Sequence, residues 1–230
     1  MTQQISKNIW QFTHGANIML AQLDENELIL IDAGLPGSTS KIVEEIRELG
    51  FQPNQVEHIL VTHADMDHAG SLHGIKNATG AKLYASVLST PYIEKARMPK
   101  HLPFLMQPFA NLIQRFTQKR VLVDVGVEDG QVLDIGGGIK AIHVPGHTQD
   151  HFAYWWEREK VLFVADLLQR RTGSLELTAK PVTWDMDQAK QSARKVLALE
   201  PEVICVGHGD SFKVSDSPDE VANLRNKLAS

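Results

Sequence analysis

The chain has 230 residues, of which 43% are hydrophobic, and this length supports one large domain without demanding two. The net charge of −5 and the lack of a Lys/Arg block exclude the electrostatic footprint of a nucleic-acid-binding protein. No apolar run is long enough to span a membrane, and the first residues lack the pattern of a signal peptide. A single cysteine excludes an internal disulfide framework. We therefore expect a cytoplasmic protein whose partners include neither nucleic acid nor membrane.

The first third of the chain predicts strands followed by helix–strand units. Short β-branched runs bounded by turn residues predict strands at residues 9–12, 18–23 and 28–33. A helix follows over about 39–49, because its apolar residues recur at helical spacing and Gly50 stands where a helix C-terminal glycine belongs. A second helix near residues 67–77 leads into another strand.

Residues 87–118 interrupt this order. They contain four prolines, Pro91, Pro99, Pro103 and Pro108, yet their apolar content is high. From residue 105 to 116 the apolar residues recur at helical spacing, which predicts a helical insertion over the sheet edge. Three roles stay open for it: a hydrophobic lid over a pocket, a dimer surface, or a small additional core. Long connections in compact domains are often functional, so a lid is favoured, and a homodimer is the main alternative.

The second half repeats the order of the first. Strands are predicted at 121–125, 131–135, 139–144, 152–156 and 160–164, with a turn at 157–159. Helices are predicted at 186–198 and 218–228. The simplest architecture for such halves is an α/β fold with two mixed β-sheets face to face and helices outside, a four-layer αββα sandwich. We expect residues 1–230 to form one such domain.

Four apolar runs each stop at a residue type that binds metals. The runs at 57–62, 141–146, 160–165 and 202–207 lead into His63, His147, Asp166 and His208. Open α/β sheets place ligands outside the carboxyl ends of their strands, so we expect these side chains to converge on one edge. With the other acidic and imidazole groups of the first loop they make seven candidate ligands, enough for two metal ions: His63, Asp65, Asp67, His68, His147, Asp166 and His208.

The same residues carry a family resemblance. Thr62-His63-Ala64-Asp65-Met66-Asp67-His68 is followed in order by Gly146-His147-Thr148, by Asp166 and by Gly207-His208, with Ile31-Asp32-Ala33-Gly34 ahead of them. Over about residues 8–212 the chain therefore resembles the metallo-β-lactamase-fold hydrolases, whose signature is T-H-x-H-x-D-H with later G-H-T, Asp and G-H segments. One departure matters: the second histidine of that signature is Asp65 here.

The resemblance implies a role for each matched residue. The first metal ion would be held by His63, Asp65 and His147, and the second by Asp67, His68 and His208, with Asp166 bridging the two. Asp32 would support the ligand loop by hydrogen bonds, as groups behind metal ligands do, and His151 would steady His147 or contact substrate. Asp67 would also assist proton movement during catalysis.

The implied cofactor is a pair of divalent metal ions. Zinc is the most common metal in the family, but a hard anionic ligand such as Asp65 shifts preference toward iron or manganese. The implied reaction is hydrolysis of a small ester, thioester, lactone or lactam by a metal-bridging hydroxide, on a substrate with an apolar portion. The rival hypotheses are an iron-dependent oxidoreductase of the flavodiiron or sulfur-dioxygenase kind, and a binding protein that has lost catalysis.

Several other polar residues are expected to lie outside the site, because such residues at strand and loop ends are usually exposed. This group comprises His14, His58, His73, His101 and His143, together with Asp150, Arg170 and Arg171. Cys205, on an apolar strand, is interpreted as a small buried hydrophobic residue.

Overall fold

The computed structural model describes residues 2–102 and 104–229; Met1, Pro103 and Ser230 lie outside these ranges. Within them the chain forms two facing mixed β-sheets with helices on both outer sides, as the sequence predicted.

The first sheet contains the amino-terminal strands in chain order. These are β1 (Gln3–Ser6), β2 (Ile9–His14), β3 (Ala16–Gln22), β4 (Leu28–Ile31), β5 (Val56–Leu60), β6 (Lys82–Ser86) and β7 (Val125–Val127). Pairing is antiparallel from β1 to β4 and parallel from β4 to β7. The parallel strands carry the connections that matter for function, because their carboxyl ends meet at one edge.

The second sheet contains the remaining strands. These are β8 (Val132–Leu133), β9 (Ile139–His143), β10 (Phe152–Trp156), β11 (Val161–Arg171), β12 (Ser174–Leu177), β13 (Val203–His208) and β14 (Phe212–Lys213). The order across the sheet is β14-β13-β11-β10-β9-β8, and β12 pairs with the far end of β11. Only β11 and β13 run parallel among these strands, so this sheet is mixed as well.

Seven helices complete the described part of the chain. They are α1 (Thr39–Glu48), α2 (Met66–Ala69), α3 (Leu72–Thr79), α4 (Thr90–Lys95), α5 (Gln107–Thr117), α6 (Met186–Leu197) and α7 (Pro218–Ala229). Helices α1 and α3 pack on the first sheet, and α6 and α7 on the second. No helix in the described ranges is long and apolar enough to cross a membrane.

The apolar core lies in three layers, one between the sheets and one under each helix pair. Between the sheets, Ile31 and Leu60 of the first sheet face Phe163 and Cys205 of the second. Cys205 is 2% exposed, which confirms its interpretation as a small buried hydrophobic residue.

The strand predicted at 131–135 is reduced to β8, and the helix predicted near 67–77 is two helices, α2 and α3. Two further strands differ from their predicted bounds. The strand predicted at 121–125 pairs with its neighbour only from Val125 onward, because Asp124 occupies the preceding position with its side chain. The Asp124 carboxylate accepts the Leu83 N–H (2.7 Å), so the side chain takes the place of a strand carbonyl. The strand predicted at 160–164 was wrong at its end: β11 continues through Asp166 to Arg171.

A buried tyrosine ties the two sheets together beside the first ligand loop. The Tyr154 hydroxyl on β10 donates a hydrogen bond to the carbonyl oxygen of Val61 (2.9 Å), the residue that follows β5. Tyr154 is fully buried, so nothing else can satisfy either group.

We predict that Tyr154→Phe lowers the free energy of unfolding by about 1–2 kcal/mol, since it leaves the buried Val61 carbonyl unpaired. Urea denaturation monitored by tryptophan fluorescence measures this change. The control is Tyr92→Phe on the half-buried α4, which is expected to change stability by less than about 0.5 kcal/mol. Equal effects of the two variants would contradict the role of this hydrogen bond.

Candidate metal centre

The first ligand loop leaves the carboxyl end of β5 and turns into the single-turn helix α2. Asp32, just after β4, anchors this loop by hydrogen bonds. Its carboxylate accepts hydrogen bonds from the Thr62 N–H (2.8 Å), the Thr62 hydroxyl (2.8 Å) and Nδ1 of His68 (2.7 Å). Asp32 has a φ of 66°, a left-handed conformation that Asp tolerates better than most residues and that aims its carboxylate into the loop.

This network fixes the tautomers of two imidazoles. A carboxylate can only accept, so the proton of His68 lies on Nδ1 and its Nε2 keeps a free lone pair. The Thr62 hydroxyl gives its one proton to Asp32 and must accept from Nδ1 of His63 (3.0 Å). Nε2 of His63 is therefore also free. Asp32 thus orients one imidazole directly and the other through Thr62.

The second ligand loop follows β9 and is anchored by Asp150. This carboxylate accepts hydrogen bonds from the Ala64 N–H (3.1 Å) and the Ser89 hydroxyl (2.8 Å), which joins the His147 loop to the first ligand loop and to the end of β6. Asp150 is 1% exposed. The expectation that it is solvated was wrong, because the loop folds back into the sheet edge where its backbone partners lie.

A bulge on β11 presents Asp166. The pairing of β11 with β13 shifts register between Phe163 and Ala165 and again before Gln169. Ala165 has a φ of 42°, which costs an alanine about 1 kcal/mol and turns the next side chain toward the site. Asp166 therefore reaches the centre from inside a strand, whereas the sequence placed it at a strand end.

His208 is the last residue of β13, and the residue before it must be glycine. A side-chain carbon at Gly207 would overlap Oδ1 of Asp166, so the two strands could not approach each other with any other residue. This close approach brings Nε2 of His208 to 3.3 Å from Oδ2 of Asp166.

The seven predicted ligands come together at one edge of the sandwich. Asp166 lies in the middle: Oδ1 is 3.1 Å from Nε2 of His68, and Oδ2 is 3.5 Å from Nε2 of His147. Oδ2 of Asp65 is 3.5 Å from Nε2 of His63 and 3.2 Å from Nε2 of His147. Oδ2 of Asp67 is 3.5 Å from Nε2 of His208.

These distances and the unpaired atoms fit metal ions. Two ligands at about 2.1 Å from a tetrahedral ion lie about 3.4 Å apart, close to the separations observed. Four buried atoms of candidate ligands have no hydrogen-bond partner in the described residues: Nε2 of His63, Nε2 of His68, Oδ1 of Asp65 and Oδ1 of Asp166. Buried polar atoms seldom stay unpaired, so these atoms also fit a bound ion. Hydrogen bonds to Asp166 and Asp67 raise the pKa of His208 to about 9. The negative charge of Asp166 and Asp67, which favours a proton on His208, also favours a metal cation at this position.

Asp65, the departure from the family signature, points into the centre. Burial alone would raise its pKa, but the neighbouring imidazoles of His101, His147 and His63 hold that pKa well below its usual range. Nε2 of His101 lies 3.2 Å from Oδ2 of Asp65. His101 was expected to lie outside the site, and this was wrong. Its residue type was the only signal in the sequence, since nothing nearby resembles a ligand motif.

His151 lies behind the ligands. It is fully buried, its ring centroid is 4.6 Å from that of His63, and neither ring nitrogen has a hydrogen-bond partner in the described residues. Burial, with His63 and His147 nearby, lowers the pKa of His151 well below its ordinary value, so the ring is neutral. Its position is behind His63, where it packs against the ring.

The remaining histidines lie away from the centre, as expected. His14 contacts Glu45 and His58 contacts Glu27, while His73 and His143 bond to backbone carbonyls. Arg170 is not simply exposed: its guanidinium donates to the Glu220 carboxylate (2.7 Å) and lies over the Phe212 ring. It therefore holds α7 to the sheet and is occupied by that pair.

The candidate ligands differ in their exposure to solvent. His63 and His68 are fully buried and Asp166 is 5% exposed. The side chains of His208 and Asp67 are 36% and 31% exposed, so these two are the most solvent-accessible of the seven candidate ligands. His101 and the insertion cover Asp65.

The insertion is attached to the first ligand loop through glutamines. Gln114 of α5 and Gln118, the residue that follows this helix, donate to the carbonyl oxygens of Ala64 (3.3 Å) and Ala69 (3.1 Å). Both glutamines are buried, whereas the apolar side chains of the same helix are exposed. The insertion therefore covers the loop with its polar face.

Comparison with known proteins identifies the family. The family model described as the metallo-beta-lactamase superfamily matches residues 13–208, a span that includes every candidate ligand. The chain belongs to the metallo-β-lactamase superfamily.

Relatives and solved structures agree with this membership. The chain is 29% identical to the protein YobT of Bacillus subtilis, over 93% of this chain and 92% of the relative. It is 28% identical to a probable metallo-hydrolase, YflN, of Bacillus subtilis, over 94% of this chain and 88% of the relative. It is 28% identical to the hydroxyacylglutathione hydrolase GloC of Haemophilus influenzae, over 84% and 85%. A subclass B3 metallo-β-lactamase with an active-site glutamic acid has the same fold, with a TM-score of 0.72 at 23% identity over 99% of this chain and 88% of that one.

We predict that Asp32→Asn lowers metal affinity roughly 10- to 100-fold, since the amide disturbs the tautomers of both His68 and His63. Asn also tolerates the left-handed backbone at this position, so the fold is expected to persist. Thr62→Val breaks only the His63 branch and is expected to have the smaller effect. Competition against a chromophoric chelator measures both affinities, and wild-type affinity in Asp32→Asn would contradict this account.

Proposed function

We propose that this protein is a hydrolase that works with two divalent metal ions at this centre. The observation that carries the proposal is the position of Asp166, whose two oxygens face imidazoles from different parts of the chain. A single carboxylate between two ligand groups is the arrangement expected of a bridging ligand. The separations between candidate ligand atoms and the unpaired buried atoms described above support the same interpretation.

The candidate ligands divide into two groups. We assign His63, Asp65 and His147 to the first ion, and Asp67, His68 and His208 to the second. The atoms of the second group lie within 4.8 Å of one another, as do those of His63, His147 and Asp166. Asp166 belongs between the groups.

Divalent ions bound there would polarise a carbonyl group and lower the pKa of bound water toward about 7. The chain itself orients the reactants. Asp67 is the only carboxylate of the set with a substantially exposed side chain, at 31%. Burial would raise its pKa, but His208 and His68 keep that pKa below its ordinary value, so the group is ionised at neutral pH. Its carboxylate can therefore accept a hydrogen bond from an incoming water and guide the proton toward the leaving group.

The curated relatives support the proposed substrate class. GloC is named for hydrolysis of a hydroxyacylglutathione, which is a thioester. We propose a small thioester, ester or lactone, with a lactam as the less favoured member of the series. The single free cysteine is buried and suits a reducing, cytoplasmic setting.

Asp65 bears on the metal and on the rival function. A third carboxylate favours iron or manganese over zinc, and iron would also suit an oxidoreductase. A B3 metallo-β-lactamase with an active-site glutamic acid indicates that a carboxylate in this fold is compatible with hydrolysis. Hydrolysis is also favoured by relatives that are named as hydrolases and that the chain matches over most of their length.

We predict that purified protein contains close to two equivalents of divalent metal and hydrolyses members of a thioester, aryl ester and lactone panel. Asp166→Ala is expected to remove most of the metal and to reduce turnover by at least roughly a hundredfold, since it deletes the shared ligand. Metal analysis by mass spectrometry and a chelator-treated sample complete the experiment.

The matched control is Asp187→Ala on α6, whose side chain is 86% exposed and far from the ligands in sequence. It is expected to keep wild-type metal content and rate. Oxygen consumption by an iron-loaded sample that hydrolyses nothing would favour the oxidoreductase instead. Unchanged turnover in Asp166→Ala would overturn the proposal altogether.

A further inference from the structure

The insertion places a histidine against the proposed metal centre. His101 lies between α4 and α5, and its neighbours Lys100 and Phe104 are exposed. The His101 side chain itself is only 3% exposed. A buried imidazole beside such exposed residues requires a partner, and that partner is the site.

The ring has the geometry of a ligand. Its Nε2 lies 3.2 Å from Oδ2 of Asp65, the same oxygen that lies 3.2 Å from Nε2 of His147. The ligand atoms of Asp65, His101 and His147 are all within 4.8 Å of one another. Nδ1 of His101 lies 3.3 Å from the carbonyl oxygen of Pro99, an acceptor, so Nδ1 carries the proton. Nε2 is left with a lone pair directed at the centre.

One glutamine holds this histidine in place. Oε1 of Gln107, in the first turn of α5, accepts the N–H groups of His101 and Leu102 (both 3.1 Å). Its Nε2 donates to the carbonyl oxygen of Pro99 (2.9 Å). The loop around His101 is thus fixed by contacts within the insertion, and α5 is in turn held to the ligand loop by Gln114 and Gln118.

We infer that His101 is an additional ligand of the first metal ion, supplying the imidazole that Asp65 does not. This inference rests on the proposed dinuclear centre. It also adds a consequence: the metal joins the insertion to the ligand loops, so removal of the ion loosens the segment around His101. The order of the insertion then depends on metal binding, and the insertion does more than cover the centre.

The test compares His101→Ala with His73→Ala, a histidine on α3 whose partners are surface groups. Competition with a chelator is expected to show a roughly tenfold or greater loss of affinity for the first ion in His101→Ala and none in His73→Ala. The visible spectrum of the cobalt-substituted protein is expected to change only in His101→Ala. Hydrogen exchange of residues 99–117 is expected to slow on metal binding in the wild type and not in that variant.

Two outcomes separate the inference from the function on which it rests. If the wild type binds two ions and His101→Ala keeps the same affinity, cobalt spectrum and exchange, His101 is not a ligand while the hydrolase proposal stands. If the wild type binds no metal, both fail. A folded His101→Ala protein is verified by far-ultraviolet circular dichroism.

A different observation concerns the outer face of the same insertion. Helix α5 is inverted relative to an ordinary surface helix, because its buried side chain is that of Gln114 while its apolar side chains are exposed. We call these side chains, together with those of the turn at 104–106 before the helix, the outer apolar face. It comprises Phe104, Leu105, Met106, Phe109, Leu112, Ile113 and Phe116. Phe104, Leu105 and Phe116 are 87%, 86% and 80% exposed.

Cations surround this face. Residues 94–120 contain six Lys or Arg and one Asp or Glu, although the whole chain has 23 and 28. The six are Lys95, Arg97, Lys100, Arg115, Lys119 and Arg120. All six are exposed, and none forms an ion pair within the described residues. A shallow cavity of about 250 Å³ lies between Arg97 and Arg115, beside Pro108 and Leu112.

The geometry points to an anionic lipid surface as the partner of the outer apolar face. An amphipathic helix with exposed aromatic residues and flanking cations lies in the plane of such a surface and buries its apolar side in the headgroup region. A second copy of the chain fits less well, because a two-fold interface would place six cations against six. The expectation of no membrane partner rested on the lack of a spanning segment, and surface attachment needs none.

Vesicle co-sedimentation tests this partner. Wild-type protein is expected to bind phosphatidylcholine vesicles that contain phosphatidylglycerol, to ignore pure phosphatidylcholine, and to release at high salt. Lys119→Glu with Arg120→Glu is expected to weaken binding roughly 25-fold or more, and Phe104→Ser with Phe116→Ser to abolish it. Lys190→Glu with Lys195→Glu on the exposed side of α6 is the matched control and is expected to bind like the wild type.

Failure to bind either kind of vesicle would overturn the lipid partner. A concentration-dependent dimer that Phe104→Ser with Phe116→Ser dissolves would also overturn it, and would assign the face to a second copy. Sedimentation velocity of the same samples separates these results. Metal content is expected to stay unchanged in all these variants, which keeps this test independent of His101.

Discussion

A carboxylate at the middle of the site, Asp166, is the constraint on which the rest of the structure depends. It lies within 3.5 Å of imidazole nitrogens from His68, His147 and His208, each brought by a different element. The position is reached by a bulge on β11 with Ala165 in a left-handed conformation. It is also reached only because Gly207 leaves space on the neighbouring strand. The strained backbone at Ala165 and the lack of a side chain at Gly207 thus place Asp166 between two groups of candidate ligands.

The groups behind the ligands serve the same end. Asp32 and Asp150 are both buried carboxylates that accept hydrogen bonds from the ligand loops, and Asp32 also accepts one from Nδ1 of the candidate ligand His68. The first fixes which ring nitrogens are free, and the second fixes the distance between the two loops. A centre of seven donors needs such support, because small displacements of a ligand are costly to metal binding.

The sequence predicted the layered fold and the convergence of the seven candidate ligands at one edge, because strand periodicity and the order of the metal-binding residue types are local signals. It failed where tertiary geometry decides. The end of β11 was misplaced since a bulge has no signature in an apolar run, and Asp150 was expected to be solvated since its partners are distant in sequence. His101 was missed for the same reason. The apolar spacing of residues 105–116 predicted a helix correctly but not that its polar face would be the buried one.

The most direct measurement is an anomalous diffraction experiment on crystals grown with manganese or zinc, recorded at the absorption edge. The account predicts two peaks, one among His63, Asp65 and His147 and one among Asp67, His68 and His208, with Asp166 in contact with both. A map without peaks at these positions, or with a single peak that Asp166 does not touch, would contradict it.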